Sequence, residues 1–369
     1  MRIYEAGILA LLPLVIVNAI PFPPTLHITP PIQQTGEDQG IFTGGSTPFD
    51  GPKLNFFNGS ASDWWYFDAV SMDGSTHVTI TFLIANLTSA ENFVGEFTSI
   101  NSVIFTAGFA NGTTYQAFLP AGDAIVTTAG DGASGYWNGT GATFSASHDM
   151  SRFEIYVDLP VFNVTGTIIL NSFTPPHSPC SIDIINASQG LTDVLGWVNP
   201  VPDSNTEVNI AIGDDLIVFN GTGYHDKNWA TVPLAETAAF WYWGHVRLGP
   251  YSLIWWDLFL HDTTEINHGY LVTADSVISV GCYGLKVRPT GFNSTFPPSG
   301  HSGNPQGLHI EYEFGNGKVF VVDVTGRVEW EPLFQVGGYT RFVGQGTGGF
   351  QGGPVYSGPT LYEWMRYIP

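Results

Sequence analysis

The chain has 369 residues and a mass of 40.0 kDa, enough for one large β domain or two ordinary ones with sizeable cores. Eleven Lys+Arg against 32 Asp+Glu give a formal net charge of −21, which repels phosphate backbones and anionic lipid and argues against nucleic-acid and membrane-surface partners. Hydrophobic residues at 43% and aromatics at 14% exclude a disordered chain, and a charged share of only 12% suits a neutral, apolar ligand.

Residues 1–19 read as a secretory signal peptide: Arg2, the apolar run Ala6–Val17, then small residues at Val17 and Ala19 for a cut after Ala19. The run is too short for a membrane span of roughly 20 residues, and no other segment approaches that length. The expected location is therefore the secretory pathway, secreted or in an endomembrane lumen. Acceptor sequences for N-glycans agree, at Asn58, Asn86, Asn111, Asn138, Asn163, Asn186, Asn220 and Asn293. Several are also Asn-Gly turn sequences, and both readings can hold. In an oxidising compartment Cys180 and Cys282 form one disulfide in the economical reading, with two separate buried thiols as the alternative. Residues 20–50, rich in Pro and Gly, read as an extended N-terminal arm.

Beyond the arm, short alternating runs are separated by Gly, Asn and Asp clusters, and none sustains a helical period. Asp63–Val70, His77–Ala85, Ser99–Ala107, Tyr115–Leu119, Phe153–Leu159 and Thr167–Leu170 form a first strand series. The pattern weakens at Thr174–Pro179 and Trp197–Asp203, which places a domain change near residue 200. A second series follows at Leu216–Phe219, Ala239–Arg247, Ser252–His261, Gly269–Thr273, Leu308–Phe314 and Lys318–Arg327. Only the tail, Thr360–Tyr367, looks helical. The expectation is an all-β chain of two β-barrel-type domains side by side, over 51–200 and 201–369.

Three constellations carry candidate chemistry. In Asp63–Ala69 a strand puts Trp64, Tyr66 and Asp68 on one face and Trp65, Phe67 and Ala69 on the other, so both faces are covered. Two packed cores are one reading; a core and a cavity are the other. In Gly221–Trp229, His225, Asp226, Lys227 and Asn228 stand between Tyr224 and Trp229. They are either a polar site or a structural turn bonded to backbone amides. In Phe240–Arg247 and Ser252–Phe259, Trp241, Trp243, His245 and Arg247 share one face, and Trp255, Asp257 and Phe259 one face of the next strand. An aromatic wall with a polar end fits a flat, conjugated ligand, and an Arg247–Asp257 ion pair is the structural alternative. No dinucleotide, P-loop, nucleophile-elbow or zinc spacing is present, so no cofactor and no metal are expected.

At Asp63-Trp64-Trp65-Tyr66-Phe67-Asp68-Ala69, Gly223-Tyr224-His225-Asp226-Lys227-Asn228-Trp229 and Trp241-Tyr242-Trp243-Gly244 the sequence resembles the two-domain, lipocalin-like fungal Diels–Alderases, distant relatives of the carotenoid hydratases. The resemblance covers roughly residues 50–369. It departs at Ala230, where relatives often have Gly, and at Lys227, where His is common. The signal and sequons are more like the subgroup that joins a tropolone-derived o-quinone methide to a humulene-type sesquiterpene. The resemblance implies two lipocalin-like domains and a cofactor-free pericyclase of secondary metabolism with its pocket between them. Its partners would be small apolar polyene or terpenoid and quinone-methide substrates.

A cycloaddition needs two π systems held face to face, with one of them polarised, and orientation alone can supply up to about 7–11 kcal/mol. Trp65, Phe67, Trp241, Trp243 and Trp255 are the expected walls. His245, Lys227 or Asn228 would donate to a carbonyl, and His225 and Asp226 would act as acid and base. Rival activities are an intramolecular decalin-forming cycloaddition, terpenoid hydration or isomerisation using a raised-pKa Asp226 or Asp257, glycan processing, and transport of apolar ligands without chemistry.

Overall fold

The computed structural model describes residues 22–85, 99–292, 294–315, 317–330 and 338–367. The expected signal peptide and the sequons at Asn86 and Asn293 lie outside these residues.

The first sheet has twelve strands: β1 (Thr25–Thr29), β2 (Ser62–Ser71), β3 (His77–Ala85), β4 (Asn101–Gly108), β5 (Thr114–Pro120), β6 (Ala124–Ala129), β7 (Gly132–Trp137), β8 (Ala142–Ala146), β9 (Arg152–Leu159), β10 (Val164–Ser172), β11 (Leu195–Ile212) and β12 (Asp215–Ala230), in the order β1-β6-β7-β8-β9-β10-β11-β12-β2-β3-β4-β5. The second has nine: β13 (Phe240–Leu248), β14 (Tyr251–Phe259), β15 (Glu265–Thr273), β16 (Val277–Gly281), β17 (Leu285–Thr290), β18 (Gly307–Phe314), β19 (Lys318–Trp330), β20 (Gly338–Phe350) and β21 (Tyr356–Arg366), in the order β16-β15-β14-β13-β21-β20-β19-β18-β17. A helical turn at Leu234–Thr237 and a 3₁₀ turn at Pro160–Phe162 are the helical elements among the described residues. The chain is all-β, as its alternating runs require.

Three details differ from the sequence reading. The division expected at residue 200 falls inside β11, and sheet membership changes between Ala230 and Phe240. The tail is not a helix: β21 pairs with both β13 and β20. Its Leu361, Trp364 and Met365 imitate a helical stripe because both faces of the strand are buried. The polar run at 223–229 is not a turn but the second half of β12, paired residue for residue with β2 from Gly221↔Ser71 to Ala230↔Ser62.

Each sheet has its own core. The first holds Trp65, Phe67, Phe82, Trp137, Phe144 and Phe153; the second holds Tyr242, Trp255, Phe320, Tyr362 and Trp364. A third cluster lies between the sheets and draws on both, with Tyr66, Trp197 and Tyr224 from the first against Trp241, Trp243, Ile254, Trp256 and Leu361 from the second. Full burial of one such side chain stabilises the fold by roughly 1.5–3 kcal/mol, so the sheets are joined by a substantial apolar surface. Arg247 bridges them through Asp203, not Asp257. Arg247 faces the other sheet, whereas Asp257 points into the second core, where Arg288 pairs with it. The disulfide Cys180–Cys282 forms, with Cα atoms 4.9 Å apart, and ties the β10–β11 connection to the end of β16.

Candidate functional site

Strand alternation decides which side chains meet between the sheets. On the second sheet one continuous row crosses six strands. His268, Trp256, Trp243, Glu363, Arg341 and Trp330 are successive cross-strand partners on β15, β14, β13, β21, β20 and β19. On the first sheet Asp226 pairs with Tyr66, and Tyr224 with Asp68. The two surfaces touch at Tyr66, whose ring stands edge-on to Trp243 at 5.7 Å, and at Tyr224, 5.1 Å from Trp243.

Trp65, Phe67, His225 and Trp255 have no exposed surface, whereas Tyr66, Trp241, His245, Trp256 and Tyr339 each keep 4–6%. Glu363 and Trp64 are half-buried.

The polar groups between the sheets form two clusters. In the first, the Asp226 carboxylate accepts from Trp197 Nε1 at 2.9 Å, Tyr224 OH at 2.8 Å and the Asn228 amide. Burial raises its pKa from 3.8 to about 6, against the pull of these three donors and of His225. Beside it, His245 Nε2 bonds Asp68 Oδ2 at 2.9 Å, and its ring stacks on Tyr224 at 4.8 Å.

The second cluster surrounds Arg341, which donates to Thr79 Oγ1 at 2.8 Å and to the Tyr339 hydroxyl at 2.6 Å. It lies 5.1 Å from the Tyr66 ring and 5.0 Å from that of Trp330. Burial opposes its charge, but Tyr339, Tyr66, Glu363 and Asp68 outweigh burial and hold the guanidinium cationic. Glu363 is pushed up to about 7, first by burial, with Asp226 and Asp68 adding and Arg341 and a Tyr339 hydrogen bond opposing. The Tyr66 hydroxyl and Arg341 Nε have no hydrogen-bond partner among the described residues.

The predicted residues divide accordingly. Asp226, Asn228, His245, Trp241 and Trp243 meet between the sheets. Trp65 and Phe67 do not: they point into the first core, against Trp137 and Phe144. His225 and Lys227 share that side. His225 Nε2 bonds Asp50 at 3.0 Å and its ring stacks on Phe67 at 3.9 Å. Lys227 pairs with Asp63 and lies 4.1 Å over Trp65, and burial, then Lys53, holds its amine far below the usual lysine range. Trp255 is in the second core, as is Asp257, which burial pushes well up. Tyr66, Tyr224, Tyr339, Arg341, Glu363 and Trp256 are the site residues that the sequence reading did not single out for chemistry. The pairing of Trp243 with Glu363 and of Glu363 with Arg341 would have found two of them.

Among the described residues no group of three His, Cys, Asp or Glu side chains could hold a metal ion, and no helix is long and apolar enough to cross a membrane. A separate groove on the outer face of β10–β12, with Thr167, Val218 and Asn220 in its lining, has Glu207 as its one ionisable group and shares no residue with these clusters.

A profile of the Diels-Alderase-like family matches residues 40–282, two-thirds of the chain and all of β2 through β16. The chain belongs to the Diels-Alderase-like family. Two of its relatives are the quinolone epoxide rearrangement protein asqO of Emericella nidulans, 32% identical over 86% of this chain and 87% of the relative, and penF of Penicillium thymicola, 31% identical over 86% and 89%. The crystal structure of CghA with Sch210972 has the same fold, with a TM-score of 0.75 at 17% identity over 93% of this chain and 99% of CghA.

Proposed function

We propose that the space between the two sheets is the active site of a cofactor-free enzyme that rearranges a conjugated, oxygen-bearing small molecule, with a quinolone epoxide as its substrate class. The observation that carries this is Glu363, an acid with pKa about 7, set between Trp243 and Arg341 on the inner wall. Relatives named for quinolone epoxide rearrangement support the substrate class.

The residues suit acid-assisted ring opening. Glu363 gives its proton to the epoxide oxygen as the C–O bond breaks, and the bond pair stays on oxygen. The positive charge left on carbon faces Trp243, Trp241 and Trp256, whose π faces attract a cation. Loss of a proton to Asp226, or a 1,2-shift followed by return of the hydroxyl proton to the Glu363 carboxylate, then gives an isomer of the substrate. Tyr66 and Arg341 donate to a carbonyl oxygen of the heterocycle and fix its orientation.

A second reading is the hetero-Diels–Alder joining of a tropolone-derived o-quinone methide to a humulene-type sesquiterpene. The unpartnered Tyr66 hydroxyl and Arg341 Nε favour it, because a heterodiene carbonyl is activated by such donors. The disulfide is compatible with a secreted or lumenal enzyme.

Mass spectrometry separates the readings. Incubation with a quinolone epoxide should give a product of unchanged mass, and Glu363→Gln should lose it. A product with the summed mass of a quinone methide and a sesquiterpene would favour cycloaddition. Tight binding with unchanged chemistry in both incubations would make the protein a carrier and overturn both.

A further inference from the structure

We propose that His268 is a positioning residue for the Asp226 carboxyl, held by the disulfide-bearing loop on one side and holding Trp197 on the other. The proposal rests on the reading that Asp226 takes part in turnover, but its geometry does not.

The contacts form an unbroken path. The Cys180 amide donates to His268 Nδ1 at 3.2 Å, which places the single proton of a neutral ring on Nε2. Burial, reinforced by His177, holds His268 well below the usual histidine range, so the ring stays neutral. His268 stacks on His177 at 5.0 Å and packs edge-on to Trp197 at 4.9 Å. Trp197 is further wedged by Trp256 at 5.5 Å, and its Nε1 donates to Asp226. A second strut runs from His177 Nε2 to Asn199 Oδ1 at 3.1 Å, and from Asn199 Nδ2 to the carbonyl of His225, the residue before Asp226, at 2.7 Å.

The ladder holds the backbone of Trp197, which pairs with Asn228, but the pairing of β11 with β12 slips just beyond it, between Val198 and Ser204, where Asn199 sits. The loop end is itself constrained: Cys180 takes a left-handed φ of 62° and is covalently tied to Cys282, one residue beyond β16. Gly281 of β16 pairs with Gly269, next to His268. The disulfide thus joins the donor of the path to the strand beside its acceptor. Cys180 is exposed and Cys282 half-buried, so this anchor is open to reductant.

The test reads Asp226 through its donor. In 15N-labelled full-length protein the Trp197 indole N–H resonance, identified by its loss in Trp197→Phe, is followed from pH 4.5 to 8. The ionisable groups facing Asp226 are Tyr224, His225, Asp68, His245 and Glu363, and the titration is repeated in Glu363→Gln, which removes the other carboxyl pushed up into this range. The parent inflection should lie near Asp226's own value of about 6. His268→Phe keeps a ring and loses the acceptor; Cys180→Ser/Cys282→Ser keeps His268 and loses the anchor. Weakening the Trp197 donor raises the inflection, by about one unit for full loss of a hydrogen bond to a charged group. His268→Asn, which keeps an acceptor near the Nδ1 position, should return it part of the way. An unmoved inflection in both His268→Phe and the folded cysteine variant would overturn the proposal. A moved inflection with an unmoved pH–rate profile would uphold the positioning and remove Asp226 from turnover.

Discussion

Replacing Asp226 by Asn separates what the buried carboxyl costs the fold from what it does for turnover. Burial raises its pKa from 3.8 to about 6 in the folded chain, whereas the unfolded chain keeps the ordinary value. Between those values the folded state binds the extra proton, so stability falls as pH rises through this window. At about 1.4 kcal/mol per unit the cost is about 3 kcal/mol, nearly absent below the lower value and fully present above the upper. Roughly 2 kcal/mol of it develops between pH 4.5 and 7.5. An asparagine at this position still accepts from Trp197 and Tyr224, and Asn228 can turn its amide to meet the new one. Urea unfolding of the oxidised protein should therefore show Asp226→Asn gaining roughly 2 kcal/mol on the parent between the two pH values. Turnover should move the other way, falling about 10²–10⁴-fold with loss of an acid–base group. An equal stability difference at both pH values would refute the raised pKa, and parental turnover would remove Asp226 from the chemistry.

Other outcomes follow from the placement of each side chain. Trp243→Ala should slow turnover by roughly ten- to hundredfold by losing an aromatic contact of about 1–3 kcal/mol. Trp255→Ala should lose about 3–5 kcal/mol in denaturation, because it empties the second core, with little specific effect on the rate of the folded fraction; equal rate losses would undo the distinction. Peptide mapping without reductant should recover Cys180 linked to Cys282, and reduction should destabilise by up to about 4.7 kcal/mol, the value for a closed loop of this size. In material from a secreting fungal host, enzymatic deglycosylation should lower the mass, with occupied sites among the exposed Asn111, Asn138, Asn163, Asn186 and Asn220. An unchanged mass would rule out the glycans.

The strand series and both aromatic hairpin strands were legible because their side chains alternate or crowd with aromatics, but alternation does not say which face meets which sheet. In β2 the division into Trp64/Tyr66/Asp68 and Trp65/Phe67 was right. The second set, expected to line the pocket, points into the first core against Trp137 and Phe144, a choice of face that two aromatic sets do not reveal. β12 was hidden by Gly221 and Gly223, which suggest a turn. In the sheet Gly223 leaves room for Thr206 and Ser204, and a Cβ there would meet Thr206 Oγ1 at 2.2 Å. Arg341 lies in a glycine-rich strand, 338–350, without an apolar run to mark it. Glu363 shares a tail whose two buried faces erase the period of two. Long-range pairing, not local pattern, assembles these two into the site.

The account's central claim is that chemistry takes place between the sheets, against the row Trp256–Trp243–Glu363–Arg341. A crystal structure of the full chain with a bound quinolone epoxide or its product tests this most directly. The ligand ring should lie against the Trp243–Glu363–Arg341 wall beside Tyr66, with one oxygen within hydrogen-bond reach of Glu363 and another near Tyr66 or Arg341. A ligand seated inside the first sheet against Trp65 and Phe67, or in the outer groove beside Asn220, with the inter-sheet space unoccupied, would contradict it.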